Sequence, residues 1–407
     1  MADRGARPTL GCMTMTSELV ALRAGWLFDG VNPDLIANPT ILLSGSTVLA
    51  AGAGLPVPED AVVVDLGGAT VLPGLIDTHV HLVFDASDDP VGRLAARDDA
   101  AAFRAMTVAA RTAVAAGVTT VRDLGDRNFL ALGLRDAARH DPALPTIVAA
   151  GPPLTTPGGH CHYLGAGVPG GDLRAAVREH ADRGVDVIKI MASGGNLTPG
   201  TRVGDAQFAA ADLRAAVDEA HRLGLPVTAH AHGTRPVIEA LAAGVDGLEH
   251  VSFMSDDGVD PVPDEVFSML AGRPVTLGLT LGAKPGAGDL PPFMVERIPK
   301  LVANTRALYE HGATMVIGSD AGIAAAKPHD VLPWAIRQAT SFGMTPAEAL
   351  RAATSGAARA CGLGDRKGRI AAGYDADLLI VDGDPRADLA ALLQVRSVYV
   401  RGVPLDR

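Results

Sequence analysis

The stretch Val71-Leu-Pro-Gly-Leu-Ile-Asp-Thr-His-Val-His-Leu82 decides how this chain is read. An apolar run meets a Pro-Gly break, and a second apolar run ends in His79-Val80-His81. Side chains alternate faces along a strand, so His79 and His81 point to the same side. Two imidazoles on one face at the end of a buried strand supply half of a metal site, because the neutral ring offers a lone pair near pH 7. An isolated His-x-His also fits two ordinary strand histidines, so the rest of the chain must decide.

The rhythm differs on the two sides of the break. Before it, from about Leu19 to Ala69, short strands such as Leu19–Arg23, Thr40–Leu43 and Ala61–Asp65 alternate with Gly and Pro clusters. After it, Ala-rich amphipathic helices alternate with short apolar strands. Strands are expected at Val118–Asp123, Pro145–Ala150, Val187–Met191, Pro226–His230, Gly247–His250, Val275–Leu279 and Thr314–Asp320. Helices are expected over Arg104–Ala116, Leu173–Arg183, Ala211–Leu223, Pro236–Ala243 and Lys300–His311. About eight strand–helix repeats predict an α/β fold with a parallel sheet closed into a (β/α)8 barrel. A doubly wound open sheet is the alternative, but no Gly-rich dinucleotide fingerprint follows an early strand. The tail returns to short strands at Ala376–Val381 and Arg396–Arg401. The organisation expected is a disordered lead-in over 1–17, a small β domain built from 18–70 and 366–407, and a barrel over 71–365 inserted between them.

With 407 residues the chain is long enough for a barrel plus a smaller domain. No apolar span is long enough for a transmembrane helix, and residues 1–16 lack the apolar core of a signal peptide. Met13 and Met15 offer alternative starts. Three scattered cysteines (Cys12, Cys161, Cys361) form no disulfide framework, which points to a reducing cytoplasm. The net charge of −11, with no basic stripe, argues against nucleic acid as a partner. A small-molecule or peptide substrate is the partner expected, and a homo-oligomer is compatible with the sequence.

In a parallel barrel the reacting groups come from the C-terminal ends of strands. Those positions hold His79 and His81, Lys189 within Val-Ile-Lys-Ile-Met, His230, His250 and Asp320. A lysine in an apolar strand loses its hydration, which favours the neutral amine. Lys189 then either meets a buried carboxylate or takes up CO2 as a carbamate that bridges two metal ions, roughly 3.5–4 Å apart, around a hydroxide. Asp320, in Gly318-Ser-Asp-Ala-Gly322, can ligate a metal and carry the proton from the attacking water to the leaving amine; a helix N-cap is its structural alternative. His160, in a Gly/Pro loop, could polarise a substrate carbonyl. His162 and His232 are weaker candidates for substrate contact. His140, His180, His221 and His311 read as surface residues. Cys161 fills no gap in the ligand set.

These residues resemble the amidohydrolase superfamily of metal-dependent hydrolases, on Pro73-Gly-Leu-Ile-Asp-Thr-His79-Val-His81, Lys189, His230, His250, the Gly-Ser-Asp320 turn and the tail Gly368-Arg-Ile-Ala-Ala-Gly373-Tyr-Asp-Ala-Asp377. Val187-Ile-Lys-Ile-Met-Ala-Ser-Gly-Gly195, the Gly-Gly-His160 loop and His230-Ala-His-Gly233 resemble its imidazolonepropionase-like group, which includes Xaa-Pro and Xaa-Arg dipeptidases. The resemblance implies a distorted (β/α)8 TIM barrel with a β-sandwich, and a carboxylated Lys189 shared by two divalent metal ions, zinc in the first instance. It implies that His79, His81 and Asp320 hold one ion and that His230 and His250 hold the other. The implied reaction is hydrolysis of an amide in a dipeptide, an N-acyl amino acid or a modified peptide. A cyclic amide, carbamate or ester hydrolase and a deaminase are alternatives on the same scaffold, and a non-catalytic binding protein is a third. Specificity is expected from the loops 85–100, 197–205 and 282–292, with Arg202, Arg235 or Lys284 meeting a substrate carboxylate.

Overall fold

The computed structural model describes residues 19–165, 167–287 and 292–405. The expected lead-in, 1–17, lies outside the described residues.

Among the described residues, eight parallel strands follow the Pro-Gly break: β1 (Leu75–Val80), β2 (Val118–Asp123), β3 (Thr146–Ala149), β4 (Ile188–Met191), β5 (Val227–Ala231), β6 (Gly247–His250), β7 (Thr276–Thr280) and β8 (Thr314–Gly318). They pair in two arcs, β3-β2-β1 and β4-β5-β6-β7-β8. Parallel bridges join the arcs: Leu154, beyond β3, to Ile190 of β4, and Val80 of β1 to Ala321, beyond β8. The result is TIM-barrel-like. Every residue of β1, β2, β4 and β5 is buried, as expected where a parallel sheet has both faces covered. That is why these strands read as apolar runs rather than alternating ones.

The covering helices follow their apolar spacing. Asp99–Ala115 buries Ala102, Met106, Ala109, Ala110 and Ala113, one stripe at three- and four-residue steps. Its start is fixed by Asp98, whose carboxylate accepts from the Ala101 N–H at 2.7 Å. Residues flanking the barrel form two further sheets. One runs in the order Thr47–Ala53, Pro39–Ser44, Leu19–Arg23, Val62–Asp65; the other includes Thr70–Pro73, Leu378–Val381 and Val395–Val400. Leu378–Val381 lies antiparallel to Thr70–Pro73, so the tail pairs with the strand just before the break. Leu22, Ile41, Val71, Ile380 and Tyr399 form a core there, separate from that of the barrel.

Three expectations change. The segment 85–100 is not a plain loop: it holds the helix Pro90–Ala95 and the first turn of Asp99–Ala115. The helix expected over Lys300–His311 spans Pro292–Glu310 with Pro299 inside it. Proline reads as a break because it lacks an N–H, yet Met294 and Leu301, on either side of it, both pack against Val203, Met254 and Val259. His180 is buried, not a surface residue: its ring bonds the carbonyls of Ala176 and Pro152, each at 2.8 Å. Its spacing from Leu173 and Val177 on one helical face carried more information than its polarity. No helix of the described residues is long and apolar enough to cross a membrane.

Candidate active site

The strand-end residues converge at the C-terminal mouth of the barrel. The alternation expected for β1 holds: Nε2 of His79 and Nε2 of His81 each lie 3.5 Å from Asp320 Oδ1. Asp320 sits two residues beyond β8 in the left-handed region, φ +57°, a conformation that costs a non-glycine residue on the order of 1 kcal/mol or more. It is held there by its own N–H, which donates to the His79 carbonyl at 2.8 Å. The neighbouring Ser319 donates to the Asp77 carboxylate through N–H (2.9 Å) and hydroxyl (2.5 Å). No helix begins at Asp320. Burial works to raise its carboxyl, but the charge of His79 and His81 in their protonated forms, with that of Lys327 and Lys189, outweighs it and holds Asp320 below the usual carboxylate range.

The partners of the histidines decide which nitrogen carries the proton. Carboxylates and carbonyls only accept. His79 Nδ1 lies 3.0 Å from Glu249 Oε2 and His81 Nδ1 lies 2.9 Å from the Gly125 carbonyl, so both rings turn a bare Nε2 toward Asp320. His230 Nε2 lies 3.0 Å from the Gly194 carbonyl, which leaves its Nδ1 bare. Such partners fix the orientation and basicity of metal-binding rings. His250 Nδ1 and His232 Nδ1 instead meet hydroxyls, of Thr280 and Ser252, each at 2.8 Å. Burial pushes His230 and His250 well below the ordinary value and His81 and His232 to about 4, so all are neutral near pH 7.

Lys189 is 1 % exposed and its Nζ has no hydrogen-bond partner among the described residues. Burial, offset in part by Glu249 and Asp320, pushes the amine down to about 8. A buried ammonium with no partner would cost several kcal/mol. An unpaired amine in the midst of four imidazoles and a carboxylate therefore fits a site that receives further groups. Ligand atoms of His79, His250 and Asp320 lie within 4.8 Å of one another, as do those of His230, His232 and His250. These donors could hold a divalent metal.

His160 Nδ1 lies 3.0 Å from the Thr198 hydroxyl and its ring is 4.7 Å from that of His230. His232 is closer to the centre than the sequence indicated: it stacks on His250 at 4.5 Å and faces the cavity. His162 and Arg202 do not line the cavity. His162 is exposed against Gly159 and Tyr163, because the tight turn around Gly159 faces it outward. Arg202 is 62 % exposed and pairs with Asp256 at 2.6 Å. The Cys161 thiol is pushed up to about 12 by burial, which removes any thiolate role.

Sequence reading missed Glu249. It is buried, accepts from Arg122 Nη2 (2.9 Å) and the Thr228 hydroxyl (2.7 Å), and holds His79. A Cβ on Gly278 would lie 2.1 Å from Glu249 Oε2, and a Cβ on Gly318 2.6 Å from the His79 Cβ, so both glycines give these side chains their room. A carboxylate beside His250 at a strand end was the available signal. Asp77 was missed in the same way, inside the quoted stretch itself.

Above these groups opens a cavity of about 420 Å³. Its floor is His79, His81, Lys189, His230, His250 and Asp320, and most of its walls are apolar.

Comparisons with known proteins give the family. The family model described as "Amidohydrolase family" matches residues 70–405. Ochratoxinase of Aspergillus niger is 26% identical over 432 aligned residues, covering 96% of this chain and 87% of that protein. Imidazolonepropionase of Ruegeria sp. (strain TM1040) is 29% identical, covering 90% and 92%. The crystal structure of a Xaa-Pro dipeptidase with methionine bound in its active site superposes with a TM-score of 0.82 at 26% identity, over 96% of this chain and all of that one. The chain belongs to the amidohydrolase family, and is a hydrolase acting on carbon–nitrogen bonds.

Proposed function

We propose that the protein is a metal-dependent amidohydrolase that cleaves a peptide-like amide, in a dipeptide, an N-acyl amino acid or a modified peptide. The observation that carries this reading is the unpartnered Lys189 amine at the centre of a converging set of neutral imidazoles and one carboxylate. In it His79, His81 and Asp320 would hold one divalent ion, His230 and His250 the other, and a CO2-derived carbamate on Lys189 would bridge them. Zinc suits such nitrogen and oxygen ligands, as do other divalent ions. Bound there, two ions would lower the pKa of water and polarise the substrate carbonyl.

The chain's own residues supply the rest. Asp320, held ionised near neutral pH, accepts the proton from the attacking water while its oxygen joins the carbonyl carbon. As the C–N bond breaks, Asp320 passes the proton to the leaving amine. Burial pushes His160 down to about 3, so it acts as a neutral ring. The Thr198 hydroxyl accepts from the Cys161 N–H at 2.9 Å, leaving its own proton for His160 Nδ1. The His160 Nε2–H then donates to the substrate carbonyl as charge develops on its oxygen. His232, fixed by Ser252, borders the same space.

The same reading treats the barrel as a distorted (β/α)8 barrel over 71–365 and the flanking sheets as a β-sandwich from 18–70 and 366–407. It places the enzyme in the cytoplasm and leaves a homo-oligomer open. A second reading, hydrolysis of a cyclic amide, carbamate or ester, is favoured by the mostly apolar walls of the cavity. The test is a screen of dipeptides, N-acyl amino acids, lactams and carbamates with zinc supplied, beside metal analysis by mass spectrometry. Two metals per chain and turnover of open amides support the proposal; well under one metal per chain after careful purification removes it.

A further inference from the structure

Resting on that reading of the site, we infer that the part of the substrate remote from the scissile bond is an apolar chain or ring with no charge at its far end. The wall that carries this is the helix Pro292–Glu310, which the sequence did not fully reveal. Met294, Ile298, Leu301 and Val302 all line the cavity, at steps of four, seven and eight residues that place them on one helical face. Leu281 and Phe342 add further apolar lining.

Charge is the second observation. Among the described lining residues the only cations are Lys189, on the floor, and Lys327. The Lys327 ammonium is already engaged: it donates to the Ser319 carbonyl at 2.7 Å and lies 3.3 Å from that of Leu281. The cations expected to meet a substrate carboxylate are paired elsewhere. Arg202 bonds Asp256 at 2.6 Å, Arg235 bonds Glu239 at 2.8 Å, and Lys284 pairs with Asp330. Residues 288–291, Gly-Asp-Leu-Pro, contain no Lys or Arg. A carboxylate or ammonium set against the helix would lose its hydration and gain no opposite charge. A methylene buried there gains up to about fourfold in affinity. Within the proposed substrates this selects acyl amides with an apolar acyl group over dipeptides whose remote end is charged.

The test compares octanoyl-4-nitroanilide with its ω-carboxylate counterpart on the zinc-supplied enzyme. In parallel, the thermal shift produced by octanamide is compared with that of its ω-carboxylate counterpart. The neutral member of each pair is expected to win, by about tenfold or more in kcat/KM. Equal or better use of the carboxylate member in both assays overturns the inference. Ile298→Arg, at a partly exposed position on the cavity wall, is expected to improve binding of the ω-carboxylate member about fivefold or more by supplying the missing charge. No gain in that variant removes the helix as the wall that meets the remote group. If neither anilide nor any open amide of the screen is cleaved while the thermal shifts still favour the neutral amide, the catalytic reading fails and the inference about the cavity stands.

Discussion

The two halves of the candidate site are braced by different chemistry. On one side, His79 leans on the ionised Glu249 and His81 on a backbone carbonyl, and Asp320 is clamped back to β1. On the other, His230 leans on a backbone carbonyl, but His250 and His232 lean on the hydroxyls of Thr280 and Ser252. A carboxylate held by a buried arginine accepts a proton in one sense only, so it fixes both the ring and its tautomer. A hydroxyl can donate or accept and leaves the ring freer. The difference predicts a rigid half that keeps its side chains poised and, beside His160 and the substrate, a half in which His250 and His232 are more adaptable.

The largest effect should come from the group between the halves. Lys189→Ala is expected to abolish turnover, with partial return on adding short carboxylic acids in place of the carbamate. Wild-type-like kcat in that variant would remove the bridging role. Next comes Asp320→Asn, which should keep the fold and lower kcat by about 10²–10⁴-fold through loss of proton transfer. An unchanged kcat means that another group carries the proton.

The asymmetry itself is tested by Glu249→Gln against Thr280→Val. Glu249→Gln should weaken binding of the metal by about 10–100-fold, with Thr280→Val clearly milder. Metal affinity measured by competition with a chelator reads both, and circular dichroism checks that Arg122, left without its carboxylate, has not unfolded the barrel. Equal losses would mean that the two kinds of brace do the same job.

The mildest expectation concerns pH. His81 and His232 are pushed by burial from 6.5 to about 4 in the folded protein. Between those values the unfolded chain binds more protons, so stability rises with pH across that window. Compared with a His81→Gln/His232→Gln double variant, the Tm of metal-stripped protein should fall more steeply from about 6.5 toward about 4, since Asp77, raised to about 6, and Lys189, lowered to about 8, act in both proteins. Parallel Tm profiles in the two proteins would mean that these rings are not buried as neutral groups.

How much of this was legible beforehand depends on how local the cause is. His79 and His81 share a face because β1 is extended, and a period of two can be read from residues alone. Leu173–Arg183 and Gly247–His250 are found where their apolar spacing and flanking glycines put them. Glu249 escaped because alternation sets it opposite His250. In the structure His250 takes φ +73° at the strand end, so the rule no longer applies and both side chains serve the site. Arg202 was misjudged for the reverse reason: a cation in the right loop is drawn to Asp256, distant in sequence and beside it in space.

The sequence by itself determined the alternation of strands and helices, the identity of the donors at the strand ends and the family. Each depends on residue type and near-neighbour spacing, which the chain carries everywhere along its length. Only the tertiary structure decided which nitrogen of each histidine is bare, which carboxylate holds His79, that Lys189 has no partner, and that a helix with a proline inside it walls the cavity. Those follow from groups up to 170 positions apart brought within hydrogen-bond reach, and from burial that sets their charge, neither of which a local pattern contains.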